Sequence, residues 1–267
     1  MTLSVPARLA LFALALTVAP FGVRADVLDD ALERGTLRIG VSEFVPWTMQ
    51  DDAGELVGFE IDIGQRIAED MGVEASFTLL PWEDVIGALI EGDIDMIAAG
   101  MAITPGRALQ VEFSQPYFES GVSLATNTAM TAEFASLDAM NTAEVVITTV
   151  ADTLAFDVTQ RVFDGADVQV LPSADLAEAE VLEGRAHGYV ASLPEVRFLA
   201  LANPETIDEP LGDPLVRSRA GFAVKKGEQA MLNFLNAWIV AREADRWLPT
   251  AHGYWFGSLD WVEAEAP

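Results

Sequence analysis

The 267-residue sequence contains no cysteine. That absence excludes a disulfide framework, a cysteine metal site and a thiol nucleophile. It also excludes the lipid-modified cysteine that tethers some exported proteins to a membrane. Basic residues are scarce: 15 Lys and Arg stand against 42 Asp and Glu, for a formal net charge of −27. A chain so negative repels phosphate backbones and anionic lipid, so nucleic acid is ruled out as a partner. The acids are spread along the chain rather than gathered in a tail, as on a well-solvated surface. Histidine is almost missing, and His187 and His252 lie too far apart in sequence to suggest a metal pair or a triad. The sequence therefore calls for no metal and no cofactor.

What is present begins with a leader. Met1 to Ala25 carries Arg8, an apolar run from Leu9 to Val18, and Val23-Arg24-Ala25 with small residues where a signal peptidase reads. The run is about half the roughly 20 residues needed to span a bilayer, and no later stretch qualifies. The reading is a secretory signal, residues 1–25, cleaved near Ala25, ahead of a soluble exported chain. The remaining residues, with 51% apolar content, suffice for one large or two medium domains with real cores.

From Gly35 onward, strand and helix patterns alternate. Thr36 to Ser42 alternates as a strand, followed by the apolar turn Phe44-Val45-Pro46-Trp47. Ile63, Ile67 and Met71 recur every four residues on one helical face, which Gly72 terminates. Ala75 to Leu80 reads as a strand, and Val85, Ile86, Leu89 and Ile90 as the apolar side of a helix ended by Gly92. The second half repeats the pattern: strand Val145 to Thr149, a helix begun near Ser173, and strand Ala186 to Ala191. Glu91-Gly92-Asp93-Ile94 and Glu183-Gly184-Arg185-Ala186 are the same helix stop and strand start. The pattern predicts an α/β chain of two similar lobes, each a mainly parallel sheet flanked by helices. In that alignment Gly100 matches Ser192, so two strand ends are expected to face each other across a cleft.

The stretch Gly92 to Tyr117 carries the chemistry. After a short buried strand the chain breaks at Gly100, and Thr104-Pro105 starts a helix with Thr104 as N-cap, Pro105 at N1 and Arg107 in the first turn. A helix start attracts anions through free N–H groups, and a guanidinium beside it matches two oxygens at once. Its position after the C-terminal end of a strand is where open α/β sheets place ligands.

Gly58-Phe59-Glu60-Ile61-Asp62, Gly92-Asp93-Ile94-Asp95, Ala99-Gly100-Met101-Ala102-Ile103-Thr104-Pro105-Gly106-Arg107 and Phe113-Ser114-Gln115-Pro116-Tyr117 resemble the periplasmic amino-acid-binding proteins, family 3 of the extracellular solute-binding proteins. The resemblance implies a type 2 periplasmic-binding fold, with lobe 1 formed by residues 26–120 plus 221–267 and lobe 2 by 121–220. Two strands, near Gly121 to Thr126 and Gly221 to Val224, would cross between the lobes. It further implies a periplasmic monomer that closes on a small carboxylate-bearing solute and is read by an inner-membrane ABC permease, with no catalysis of its own. By the same resemblance Arg107 holds the solute carboxylate, helped by backbone N–H groups near Gly100 and Ala102. Thr153, beside Asp152, marks the anion-facing turn of the second lobe, and Phe44 and Trp82 line the cleft.

Two departures stand out: Ala102 replaces a usual Thr or Ser, and Ser192 replaces the usual Asp that pairs with a ligand ammonium. A dehydrated ammonium without an anion costs about 3 to 5 kcal/mol. The solute is then expected to be neutral or anionic beyond its carboxylate, or met by another acid such as Glu43, Glu83 or Glu119. The alternative is an exported enzyme similar to cyclohexadienyl dehydratase, whose acid follows the second-lobe turn. Here Leu154 takes that position and Asp152 lies nearby.

Overall fold

The computed structural model describes residues 26–51, 53–257 and 261, so the leader lies outside the described residues. Helix α1 (Val27–Arg34) starts on the Asp26 carboxylate and stops at Gly35 in the left-handed region. Strand β1 (Thr36–Val41) follows with Leu37, Ile39 and Val41 fully buried. A small hairpin of β2 (Met49–Gln50) and β3 (Leu56–Val57) leads into α2 (Phe59–Met71), which buries Ile63 and Ile67 and ends at Gly72. Then come β4 (Glu74–Leu79), a 3-10 turn at Trp82–Asp84, α3 (Val85–Glu91) stopped by Gly92, and β5 (Met96–Ile97). Thr104 accepts the Arg107 N–H and caps α4 (Pro105–Ala108), as its residues require. Strands β6 (Glu112–Phe113) and β7 (Phe118–Asn127) carry the chain out of this half.

The second half holds α5 (Thr128–Thr131), α6 (Leu137–Met140), β8 (Val146–Val150), α7 (Leu154–Val162), β9 (Asp167–Leu171), α8 (Ala174–Leu182), β10 (Gly188–Ser192), α9 (Leu193–Ala202), β11 (Ile207–Asp208) and β12 (Val216–Ala220). The chain returns through β13 (Ala223–Val224) and finishes the described part with α10 (Gln229–Ala244) and α11 (Trp247–Gly257). Among the described residues no helix is long and apolar enough to cross a membrane.

The two sheets repeat one arrangement. In the first, β4, β1 and β5 are parallel neighbours and β13 closes on β5 antiparallel; in the second, β9, β8 and β10 are parallel neighbours and β7 closes on β10 antiparallel. The expected kinship of the two halves is therefore present at the level of strand order. Because β5 and β10 are equivalent strands, the segments leaving them occupy equivalent positions. Gly100 and Ser192 accordingly line the same cavity.

The crossings fall a few residues earlier than the sequence suggests. Gly121 to Thr126 lies inside the second sheet, paired with β10 and β12. Tyr117, Phe118, Ala220 and Phe222 still pack in the first core while Val122 and Val216 pack in the second, so the chain crosses within β7 between Phe118 and Val122 and returns beside it within β12. Ser114 N–H to Phe222 O (2.9 Å) and Tyr117 N–H to Ala220 O (3.1 Å) tie the two segments just inside the first lobe. The last helices pack on the first sheet. Trp238 and Trp255 donate their indole N–H groups to Asp70 (2.8 Å) and Asp62 (2.7 Å) of α2, and Leu235 and Ile239 join its core.

One buried acid ties this core to the cleft. The Glu60 carboxyl accepts the Gly100 N–H (2.7 Å) and the Tyr117 hydroxyl through Oε1, while Oε2 is buried without a partner. Burial pushes it from 4.5 up to about 7, against the pull of those two donors. A carboxyl that titrates higher in the folded chain binds more protons there than when unfolded. Stability then falls as pH rises from the unfolded value through about 7, by on the order of 3 kcal/mol for this group. Burial and neighbouring acids tilt Glu178 and Glu195 the same way. Thermal unfolding followed between about pH 5 and 8 should show Tm dropping toward alkaline pH, with a shallower drop in Glu60→Gln. An equally steep profile in the variant would contradict this role.

Candidate functional site

Between the two sheets lies a cavity of about 550 Å³. Phe44, Trp82, Gly100, Ala102, Arg107, Thr153 and Ser192, which the sequence singled out, all line it. Asp152 does not; it borders an adjoining space of about 460 Å³ behind Arg107. Among the described residues lining the cavity, Arg107 is the single basic side chain, set against Glu43, Glu83 and Glu195.

Arg107 is positioned from both lobes. Its N–H is held by the Thr104 cap, Nη1 donates to the Ala102 carbonyl (3.0 Å), and Nη2 donates to the Asp152 carbonyl across the cleft (3.0 Å). The guanidinium lies 5.1 Å from the Trp82 ring centre, a cation–π contact. The Trp82 indole N–H donates to the same Asp152 carbonyl (3.0 Å). Burial lowers the Arg107 pKa, and Asp157 and Asp152 work against that; a guanidinium stays charged in any case. Two of its five N–H groups are committed to these carbonyls, so donors remain for an anion.

Asp152 contributes backbone rather than carboxylate. It sits in the left-handed region at φ 58°, a conformation Asp tolerates better than most residues, and its side chain is exposed. Thr153 likewise uses its hydroxyl locally, accepting the Phe156 N–H (3.0 Å) to cap α7 and donating to Val150 O (2.8 Å). What this turn offers the cavity is the start of α7, where Thr153, Leu154 and Ala155 form part of the wall. Leu154 puts no proton donor there.

The Gly100 N–H, expected to face the solute, turns inward to Glu60 instead. Gly100 itself is at φ 57°, and a Cβ there would touch the Trp47 ring at 3.0 Å. Ala102 pairs with Ala220 through its neighbours' bonds, Ile103 N–H to Arg219 O (2.8 Å) and Gly221 N–H to Met101 O (3.2 Å), which leaves its own N–H outside that pairing. Of the acids proposed to replace the one missing at Ser192, Glu43 and Glu83 line the cavity. Glu119 instead pairs with Arg219 (2.8 Å) at an exposed position.

Several lining groups escaped the sequence reading. Ser42 Oγ, Ser120 Oγ and Trp47 Nε1 are buried, have no hydrogen-bond partner, and belong to residues of the cavity wall. These three atoms have almost no accessible surface, so they stand within the wall rather than open to the cavity. Ser42 could have been found: it directly follows the first strand, where such sheets bind ligands. Glu195 is the other. It is 5% exposed, accepts the Tyr189 hydroxyl (2.7 Å) and the Ser192 N–H (3.2 Å), and forms a capping box with Ser192 at the start of α9.

A two-lobed molecule with a guanidinium and aromatic walls in the cleft between its sheets is built as a binding protein for a small solute. Residues 37–258 match the bacterial extracellular solute-binding proteins, family 3, and the chain belongs to that family. It is 26% identical over 239 residues to the L-cystine-binding protein of Escherichia coli strain K12, covering 87% of this chain and 86% of that one. It is 29% identical over 196 residues to the ABC transporter glutamine-binding protein of Bacillus subtilis strain 168, covering 72% and 70%. Among solved structures, an ancestral amino acid-binding protein that is a precursor of cyclohexadienyl dehydratase matches with a TM-score of 0.80 at 27% identity, covering 87% of this chain and 100% of the other.

The contact between Trp82 and the Asp152 carbonyl makes a direct prediction. Trp82→Phe keeps a ring beneath Arg107 but removes the hydrogen bond, worth about 1 kcal/mol or a fivefold shift in a local opening equilibrium. Hydrogen exchange over residues 151–156 should speed up by about that factor, and unchanged protection there would show that the bond does not hold the lobes.

Proposed function

We propose that the chain is an exported binding protein that captures a small carboxylate-bearing solute in the interlobe cleft and delivers it to an ABC-type permease in the inner membrane. The observation that carries this reading is the guanidinium of Arg107, the single one in the cavity wall among the described residues, held at the seam by carbonyls of both halves. Delivery to a permease rests on membership of the solute-binding family and on relatives named for ABC transport. In this reading lobe 1 is residues 26–120 plus 221–267 and lobe 2 is 121–220. The chain works as a monomer in the periplasm once its leader is removed near Ala25, and it is not an enzyme.

The mechanism follows from the geometry. With the lobes apart, a carboxylate meets the free donors of Arg107 on the first lobe. As the lobes approach, the start of α7, with its free N–H groups and positive dipole end, reaches the same carboxylate from the other side. A solute touching both lobes stabilises the closed arrangement by the free energy of the second set of contacts. Trp82 and Phe44 enclose its apolar part.

Calorimetric titration with a panel of amino and non-amino carboxylates tests this. At least one compound should bind, and Arg107→Met should weaken it by about 3 kcal/mol, roughly a hundredfold, because charge-assisted hydrogen bonds in a desolvated site are lost. Full affinity in the variant would contradict the proposal.

A further inference from the structure

Helix α9 has two apolar sides, and they serve different lobes. Val196 and Leu199 are buried in the core of the second lobe, together with Tyr189 and Ala191 of β10. Phe198, set roughly 200° round the helix from Val196, leaves that core and packs instead among the buried side chains of the first lobe. Its ring meets Trp261 edge-on with 5.6 Å between centres and lies 6.5 Å from Phe256. Phe198 and Trp261 are only 6% and 5% exposed, so this is a closed apolar contact between a helix of one lobe and the C-terminal segment.

That segment is fixed to the first lobe. Trp261 donates its indole N–H to the Trp255 carbonyl (3.1 Å), and Trp255 donates its own to Asp62 of α2 (2.7 Å). Phe256 packs on Trp47 and Phe59 with ring centres at 4.8 and 5.1 Å. Rotation of the second lobe about the crossing strands therefore carries Phe198 with α9 and leaves its partners behind. Large rings bury much apolar surface and hold a preferred geometry, so parting them returns that surface to water at a cost. The contact exists in the arrangement in which Arg107 reaches the Asp152 carbonyl, and it favours that arrangement over one with the lobes apart.

We propose that Phe198 is a catch between the lobes: its ring seats against Trp261 and Phe256 when the lobes meet, and holds the closed arrangement before any solute is bound. None of the three rings lines the cavity, so the catch acts without touching a solute. It is nonetheless tied to the cleft, because α9 begins at Ser192 and carries Glu195, both in the cavity wall, one turn before Phe198. Apparent affinity scales with the fraction of molecules in the binding-competent state, so the C-terminal rings tune capture from a distance. This needs the two-lobed fold but not the carboxylate reading of the cleft.

The absence of native cysteine makes the test direct. Glu91→Cys on α3 and Gln160→Cys on α7 place one exposed label on each lobe, and pulsed electron resonance between spin labels reads the interlobe distance with no solute added. The expected parent shows a short-distance population, and Phe198→Ala or Trp261→Ala should each lower its ratio to the long-distance population by about tenfold. The double variant should shift little further than either single one, because both remove the same contact. Phe198→Leu, which keeps most of the buried volume without the ring, should move the same ratio by less, and it serves if the alanine variant does not fold. Distance distributions unchanged in every folded variant, or a parent with only long distances, would overturn the catch. Either result leaves the carboxylate reading standing, since that rests on titration with Arg107→Met.

Discussion

The structure depends on one guanidinium being held where two lobes meet. Arg107 belongs to a short helix of the first lobe, yet one of its donors reaches a backbone carbonyl of the second. Trp82 backs it and reaches the same carbonyl. Neither contact alone is strong, but together they place the cleft's only basic lining group, among the described residues, between the two sheets. The rest of the fold can be understood as what is required to bring Arg107 and the Asp152 turn within 3.0 Å of each other.

That requirement is met by repetition. Each sheet sets three parallel strands beside one antiparallel strand that enters from a crossing segment, so the two cleft walls are built alike. The crossing segments lie against each other as an antiparallel pair, Glu119 opposite Arg219 and Gly121 opposite Arg217. A pair of adjacent segments restrains relative motion to bending more than a single one does, which suits closure around a hinge. The Glu60 carboxyl, between the Gly100 turn and Tyr117, links this crossing to the cleft floor through two hydrogen bonds. Its unpartnered second oxygen keeps the link sensitive to protonation.

Much of this was legible in the residues, and the pattern of success has a physical reason. Local signals were reliable: Gly72 and Gly92 end their helices in the left-handed region, and Thr104-Pro105 starts one. Such features depend on a few neighbouring residues. Gly100 and Ser192 line one cavity because the two halves share a strand order, while the expectation that Phe44, Trp82 and Arg107 line it came from the family resemblance. What could not be read was which partner each group takes. The Gly100 N–H turns to an acid 40 residues away, Asp152 uses its carbonyl, and Thr153 uses its hydroxyl on its own helix. The crossing was misplaced by a few residues because β7 is one continuous strand, and nothing in its sequence marks where its side chains pass from the first core to the second. Glu195 was hidden by its own local motif: three residues after Ser192 it reads as half of a capping box, and only the fold shows that the same side chain faces the cavity.

The central claim is about where a solute's negative charge comes to rest, and a crystal structure of the chain with a solute bound tests it most directly. The account predicts a carboxylate between the sheets, within hydrogen-bond reach of the Arg107 guanidinium and facing the start of α7. A solute seated in the same cleft with its carboxylate turned away from Arg107, or bound outside the cleft altogether, would contradict it.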